Sequence, residues 1–318
     1  MKHFSRFYVF LGGPLYQARW KLWARVIHQA AAWVPAEAGI VLEVDDSTKK
    51  KAGRQIEGVA TYRNGAGSAR QEYRTLRGLN FVWGIMRVPL PWWPGHWISV
   101  PVGLSLYLKA AQARNLKQPY RSRSALAREI VDVVAAELPT RPIRVVGDGG
   151  YATKEYLQDR PATVAVVSRM LITGQLYDRP TPPQKSRKGR PPQKGRLIGS
   201  PKTLARKRQG WQPHPTEAGT LVQAWEGLWH AVLPGCWLRV VVRHPATPRK
   251  RKRGQRNPRP RIEAFFTTDL QKCAPSQRDV VWACREALAE AGVFSIPYFD
   301  SAVAETPAEP ENTLPLAA

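Results

Sequence analysis

Two stretches of sequence decide the fold: residues 40–47 read IVLEVDDS, and residues 143–151 read IRVVGDGGY. In each, a short apolar run rich in β-branched residues ends at an aspartate, Asp45 in the first and Asp148 in the second. Such runs are typical of strands that are buried on both faces of a sheet. Carboxylates at the carboxyl ends of parallel strands lie in the crevice where α/β proteins bind ligands. The two stretches therefore predict adjacent strands that carry a functional pair of aspartates.

An alternative interpretation of each aspartate is structural. Asp before Gly or Ser commonly starts a turn or caps the next helix, and both Asp45-Asp46-Ser47 and Asp148-Gly149 fit that description. Two such residues at the ends of two strands favour the functional interpretation. Carboxylates from different strands can share a divalent metal, because Mg²⁺ prefers oxygen ligands.

Strands and helices alternate around these two stretches, which is an α/β pattern. Apolar runs at 55–62, 97–108 and 163–168 predict further strands, and Ser124 is predicted to cap a helix that ends before Pro139. With 318 residues, the chain is long enough for one large domain with an insertion. The predicted units are an N-terminal helical segment (1–36), the first part of the core (37–176), a basic β-rich insertion (177–261), the last strand and helix of the core (262–295) and a disordered tail (296–318).

Positive charge is concentrated in that insertion. The chain has 49 Lys and Arg residues against 24 Asp and Glu, a net charge of +25. Residues 185–261 contain 20 basic residues and two acidic ones, and so account for +18 of that charge. This concentration exceeds what solubility requires and predicts contact with a phosphate backbone. The residues predicted to bind nucleic acid are Lys185, Arg187, Lys188, Arg190, Lys194, Arg196, Arg249, Lys250, Arg251, Lys252 and Arg253.

The composition also excludes several classes of protein. No run of 18 apolar residues is present, so no membrane span is predicted. The three cysteines, Cys236, Cys273 and Cys284, form no C-x-x-C pair and predict neither a zinc site nor a disulfide framework. We expect a cytoplasmic, nucleoid-associated protein. The aromatic loop at 92–97 either stacks on unpaired bases or covers an edge of the core.

Several segments resemble the DDE superfamily of bacterial insertion-sequence transposases. Residues 41–53 are similar to the first acidic motif of that family, and residues 144–151 are similar to the second. Residues 166–169, 176–178 and 265–270 match later segments in the same order. The resemblance covers approximately residues 4–270.

The resemblance implies a ribonuclease H-like mixed sheet flanked by helices, with a β-strand insertion before the last catalytic helix. It implies two Mg²⁺ or Mn²⁺ ions bound by two aspartates and one glutamate, of which Asp45 and Asp148 are the aspartates. Asp46 is not expected to be a ligand, because adjacent residues of a strand face opposite ways. It also implies DNA as the partner, both element ends and target, and a homodimer when two ends are synapsed.

The third carboxylate is where the chain departs from the family. The family has a Tyr-x-x-Arg-Trp-x-x-Glu segment after the last strand, whereas residues 281–286 read VWACRE. Two candidates remain, Glu286 and Glu290. On a helix, Glu290 lies roughly 105° from the apolar stripe and Glu286 roughly 145°, so Glu290 is better placed to flank a site. Both could also be ordinary solvated helix residues.

Three functions are therefore compared. The first is a DDE transposase that nicks element ends and joins them to target DNA. The second is a catalytically inactive remnant that binds DNA, since the incomplete motif and the short sequence before Asp45 suggest a truncated or frameshifted copy. The third is a non-enzymatic, basic nucleic-acid-binding protein, which predicts that Asp45 and Asp148 do not meet.

Overall fold

A computed structural model describes residues 19–51, 53, 56–63, 74–93, 96–180, 192–214, 218–244 and 262–269. Within these ranges the secondary structure is mainly β. The helices are α1 (Arg19–Ala32), α2 (Ala110–Asn115), α3 (Arg123–Glu137), α4 (Lys154–Leu157) and α5 (Pro201–Leu204). The strands are β1 (Ile40–Lys50), β2 (Ala60–Arg63), β3 (Thr75–Pro89), β4 (Trp97–Tyr107), β5 (Ile143–Gly147), β6 (Val164–Arg169), β7 (Leu176–Tyr177), β8 (Leu197–Gly199), β9 (Gln212–Pro213), β10 (Leu221–Leu228), β11 (Trp237–His244) and β12 (Glu263–Thr267).

All of these strands belong to one mixed sheet, in which β1 lies between β3 and β5. β1 pairs antiparallel with β3, which pairs antiparallel with β4. On its other side β1 pairs parallel with β5, and β5 pairs parallel with β6. Three antiparallel strands followed by two parallel strands is the arrangement of a ribonuclease H-like sheet. The predicted fold class, an α/β ribonuclease H-like mixed sheet flanked by helices, is confirmed.

The strands that follow β6 extend the same sheet. β12 pairs antiparallel with β6, and the order then continues through β11, β10, β7 and β8. β12 comes after the basic segment in the chain, yet it lies between β6 and β11. The strands at 197–244 are therefore continuous with the strands that carry Asp45 and Asp148.

Two helices cover one face of the sheet at β1. Helix α3 contacts β1, β3 and β4, and α1 packs against α3, β3 and β4. Helix α3 lies close to the sheet at two glycines. A Cβ built on Gly84 would lie 2.3 Å from the Ile130 side chain, and one on Gly103 would lie 2.7 Å from it. Larger residues at these two positions would push the helix away. The buried side chains between helices and sheet include Ile27, Ile40, Leu42, Val44, Val82, Met86, Ile130, Val134, Ile143 and Val145.

The sequence did not predict β3, the longest strand. From Gly78 onward its residues alternate between full and partial burial, and both sets are largely apolar. A strand that is apolar on both faces lacks the alternation of polar and apolar residues that marks a strand in sequence. β3 therefore had no periodic signal, although it pairs with β1 next to Asp45.

The predicted start of α3 was wrong by two residues. The N-cap is Ser122, whose hydroxyl accepts the backbone N–H of Ala125. Ser124 lies inside the helix, is buried, and is hydrogen-bonded to the hydroxyl of Thr153 at 2.9 Å. Either serine satisfies the sequence rule for a cap, and the contact with α4 determines which one is buried.

Some predictions fall outside the described residues. The last helix of the core, expected within residues 262–295, and the tail at 296–318 both lie there. None of the helices in the described part of the chain combines the length and apolar character that a membrane crossing requires.

Candidate active site

The structure brings Asp45 and Asp148 together. The parallel pairing of β1 with β5 ends at Val44 and Gly147, so the two aspartates are the next residue in each chain. Residues in register on neighbouring parallel strands lie on the same face, about 4.8 Å apart across the sheet. β1 itself continues to Lys50 through its pairing with β3, so Asp45 marks the end of the parallel pairing and not the end of the strand.

Backbone N–H groups orient both carboxylates. Oδ1 of Asp45 accepts the N–H of Asp46 at 2.7 Å. Oδ1 of Asp148 accepts the N–H of Gly150 at 2.7 Å, which caps the single 3₁₀ turn Gly149–Tyr151. A Cβ on Gly150 would lie 2.9 Å from that same oxygen, which explains why glycine occupies the position. The Ser168 hydroxyl donates to the carbonyl oxygen of Asp148 at 2.9 Å, so β6 also fixes this turn.

The electrostatics of the pair favour a bound cation. The pKa of Asp45 is raised to about 6, mainly by burial; the negative charges of Asp148 and Asp46 also raise it, and the hydrogen bond from the Asp46 N–H lowers it. Within the described part of the chain, neither Asp45 nor Asp148 forms an ion pair with a basic side chain. Two adjacent carboxylates repel one another when both are ionised and neither has a basic partner. A divalent cation between them would remove the repulsion.

Asp46 faces the opposite side of the strand, as predicted. Its Oδ2 accepts the side-chain amide of Asn80 at 2.9 Å and lies 3.3 Å from Nε of Arg123. Its Oδ1 accepts the hydroxyl of Tyr151 at 3.3 Å. Three donors thus surround the Asp46 carboxylate, whereas the described side chains around Asp45 offer it no such partners.

Glu43 is a third carboxylate on the Asp45 face of β1. It lies two residues before Asp45, so both side chains emerge on the same side. Glu43 is buried and forms an ion pair with Nε of Arg87 on β3. Because Arg87 neutralises it, Glu43 contributes to the packing between β1 and β3 and is a poor candidate for a metal ligand.

Tyr151 connects the two aspartate-bearing strands. It is buried, and its pKa is raised, mainly by burial and then by the charges of Asp46, Asp45 and Asp148. The phenol therefore stays protonated and acts as a hydrogen-bond donor. In the sequence, Tyr151 is only part of the second acidic motif, and no pattern identifies Asn80 or Arg123. Asn80 lies on β3, which had no sequence signal, and the partner of Arg123 depends on tertiary structure.

The two candidates for the third carboxylate, Glu290 and its alternative Glu286, both lie outside the described residues. Among the residues that are described, no group of three or more His, Cys, Asp or Glu side chains is arranged to hold a metal. The described part of the site therefore consists of two carboxylates.

Most of the predicted DNA-binding residues also lie outside the described ranges. Lys194 and Arg196 are described, and both are exposed beside β8. Nζ of Lys194 lies 4.3 Å from the centre of the Tyr177 ring on β7. Exposed basic residues follow at the C-terminal end of α5 and were not among the predicted contacts: Lys202, Arg206, Lys207 and Arg208.

The aromatic loop between β3 and β4 is largely exposed. Trp92 is 67% exposed and Trp93 is 56% exposed. Trp92 makes an edge-to-face contact with Trp33 at 5.2 Å between ring centres, and Trp93 stacks on His96 at 3.8 Å. The loop lies at the end of β3 remote from Asp45, since Asp45 pairs with Trp83 whereas the loop follows Pro89.

Comparison with known families agrees with this geometry. The model of a family described as DDE superfamily endonuclease matches residues 6–230, a range that includes both aspartates. No curated protein shows significant similarity to the chain. The matched range covers most of the chain, and it contains the paired strands β1 and β5. This protein therefore belongs to the DDE superfamily of endonucleases.

Proposed function

We propose that this protein is a DNA transposase that uses divalent metal ions to nick and join DNA strands, and so mobilises an insertion sequence. The observation that carries the proposal is the position of Asp45 beside Asp148 at the end of the parallel pairing of β1 and β5. A non-enzymatic basic protein has no need of that arrangement. The alternative of a non-enzymatic, basic nucleic-acid-binding protein predicts that the two aspartates do not meet, which is the opposite of the observed register.

The two carboxylates fit a divalent metal. Asp45 and Asp148 supply hard oxygen ligands from the same face of adjacent strands, and in the described part of the chain neither forms an ion pair with a basic side chain. Bound Mg²⁺ or Mn²⁺ would supply activation of a water or 3′-hydroxyl nucleophile and stabilisation of the leaving oxygen in an in-line displacement. Glu290 is the proposed third ligand.

The chain's own residues prepare this site before any ion enters. Asp45 must lose its proton to bind a cation, and its pKa of about 6 means that it does so below neutral pH. The backbone N–H groups of Asp46 and Gly150 each hold one carboxylate oxygen, which restricts rotation of both side chains. Ligands that are restricted in this way lose less conformational entropy when a cation binds.

DNA would also contact the sheet edge formed by β7 and β8. Five strand spacings separate β5 from β7 in the sheet order, or about 24 Å at about 4.8 Å for each spacing. One turn of duplex spans about 34 Å, so a single DNA segment can reach both Asp148 and the exposed side chains of Lys194 and Arg196. The basic segments on either side, including residues 185–190 and 249–253, would add phosphate contacts. Synapsis of two element ends would require a homodimer on the nucleoid.

A nicking assay tests the proposal. The full chain would be incubated with supercoiled plasmid and Mg²⁺ or Mn²⁺, and formation of open circles would be measured. We expect nicking that depends on the metal and that Asp148→Ala reduces by roughly a thousand-fold or more, as losses of essential catalytic groups do. Asp159→Asn is the matched control. Asp159 is exposed, and Asn tolerates its backbone φ of 50°.

The same assay distinguishes an active transposase from the second candidate, a catalytically inactive remnant that binds DNA. The departure from the family segment at residues 281–286 favours a DNA-binding remnant without activity. That candidate predicts salt-dependent plasmid binding by the wild-type chain with no open circles under either metal. Absence of both binding and nicking would contradict both candidates.

A further inference from the structure

Asp46 lies where four elements meet. It belongs to β1, and its carboxylate is contacted by Asn80 of β3, Arg123 of α3 and Tyr151 of the turn after β5. Asn80 is 1% exposed. Buried polar groups of this kind are costly unless they are hydrogen-bonded, so the network is expected to hold a single geometry.

The donors around Asp46 are themselves fixed. The Asn80 amide also donates to the Thr48 hydroxyl at 2.9 Å, and the Asn80 carbonyl oxygen accepts Nε of Arg123 at 3.0 Å. The guanidinium of Arg123 lies over the ring of Tyr107, 4.7 Å from its centre. These contacts determine the orientation of each donor, so the Asp46 carboxylate has one favourable position.

Both candidate ligands are connected to Asp46, Asp45 through the backbone N–H of Asp46 and Asp148 through the carboxylate of Asp46. The N–H of Asp46 donates to Oδ1 of Asp45 at 2.7 Å, so the position of Asp46 sets the rotamer of its neighbour. Tyr151 ends the turn that Asp148 caps, and its hydroxyl donates to Asp46. A movement of Asp46 would therefore change the separation between the carboxylates of Asp45 and Asp148.

We propose that Asp46 is a positioning residue for metal binding: it holds Asp45 and Asp148 at a fixed separation without touching the cation. This inference rests on the proposed function, since it assigns a role within the same site. It gives the second aspartate of the Asp45-Asp46 pair a function on the opposite face of the sheet from the first.

Binding of Mn²⁺ alone to the full chain, followed by electron paramagnetic resonance, tests the role directly. In Asp46→Asn, the amide has one acceptor oxygen where the carboxylate has two, so the Asn80 amide and the Tyr151 hydroxyl compete for a single acceptor and the network is weakened. We expect Mn²⁺ affinity to fall about tenfold, in the range found for groups that orient metal ligands. A role in stability alone would leave the affinity of the folded protein unchanged.

Tyr151→Phe provides a second, milder test that removes one hydroxyl and keeps the ring. We expect Mn²⁺ affinity to fall about threefold, and the double variant to bind no more weakly than Asp46→Asn, because the two residues act through the same contact. If Asp46→Asn fails to fold, Tyr151→Phe still decides the question. Asp132→Asn is the matched control, since its carboxylate contacts Arg128 on the outer side of α3.

Three results would overturn the inference. Unchanged Mn²⁺ affinity in both Asp46→Asn and Tyr151→Phe, with binding lost in Asp45→Asn, would remove the positioning role and leave the metal site intact. Complete loss of binding in Asp46→Asn with no effect of Tyr151→Phe would make Asp46 a ligand instead. If the wild-type chain binds no Mn²⁺, or Asp45→Asn binds it normally, the metal site proposed above fails and the positioning role fails with it.

Discussion

Asp45 and Asp46 are identical side chains on consecutive residues, and they lie in opposite environments. On the Asp46 side, Asn80 and Tyr151 donate to the carboxylate, Arg123 forms an ion pair with it, and helix α3 covers the face. On the Asp45 side, the negative charge of Asp148 acts on the carboxylate, and the pKa of Asp45 is raised to about 6, mainly by burial. One face neutralises its charge with the protein's own donors, and the other retains charge that a metal could neutralise.

The largest expected difference between the two aspartates is in catalysis at saturating metal. With Mn²⁺ in large excess, we expect plasmid nicking by Asp46→Asn to recover to near the wild-type rate, because weaker binding is overcome by concentration. Asp45→Asn should remain roughly a thousand-fold slower, since it lacks a ligand. Nicking rates measured across a Mn²⁺ titration would show this. Equal losses at saturation would erase the functional distinction between the two residues.

A second difference concerns folding stability. We expect Asp46→Asn to lower the free energy of unfolding by about 2 to 3 kcal/mol, because the amide offers one acceptor oxygen and one of the two donors, on Asn80 or Tyr151, is left without an acceptor. Urea denaturation of the metal-free protein would measure it. The control Asp132→Asn, whose carboxylate is 45% exposed, should change stability by less than about 0.5 kcal/mol. A loss no greater than the control's would show that the Asp46 network contributes little.

Asp45→Asn should raise the free energy of unfolding, which is the opposite of the effect expected for Asp46→Asn. The pKa of Asp45 rises from 3.8 to about 6 on folding, so the native state binds the proton more tightly than the unfolded state does. Ionisation of Asp45 therefore lowers the free energy of unfolding. This loss is absent below about pH 4, grows between pH 4 and 6, and is complete above pH 6. At pH 8 without metal, Asp45→Asn should be more stable than wild type by about 1 to 2 kcal/mol, allowing for partial solvent contact.

Chemical denaturation at pH 4 and pH 8 would check that sign. The stabilisation by Asp45→Asn should be close to zero at pH 4 and at its full value at pH 8. In the wild-type protein, Mn²⁺ affinity should fall as the pH drops through about 6, since protonated Asp45 does not bind a cation. A gain that is equal at both pH values would mean that Asp45 does not titrate as its surroundings indicate.

The smallest expected effect concerns the basic edge of the sheet. Replacing Lys194 or Arg196 by Gln should weaken DNA binding without regard to sequence, and each change should reduce the slope of log affinity against log salt by about 1. Fluorescence anisotropy at several salt concentrations would measure the slope. Glu57→Gln, an exposed substitution on the opposite side of the sheet order, should leave it unchanged. An unchanged slope in both basic variants would remove the β7–β8 edge from the DNA-binding surface.

Several elements could be predicted from the sequence because they carry a local signal. β1, β4, β5, β6 and β12 appear within a few residues of where their apolar runs predicted them. β3 could not be predicted in the same way, because its apolar residues lie on both faces. Asn80 lies on β3, so it could not be identified as a site residue from the sequence.

The sequence by itself determined the fold class, the concentration of basic charge and the identity of Asp45 and Asp148 as candidates, since each depends on local composition or on a short run of residues. Only the tertiary structure decided that the two aspartates are in register, that Glu43 is neutralised by Arg87, and that Asp46 is held by Asn80, Arg123 and Tyr151. The reason is that strand register and cross-strand contacts join residues far apart in the chain. No local pattern encodes which of two adjacent carboxylates will meet a donor and which will meet another charge.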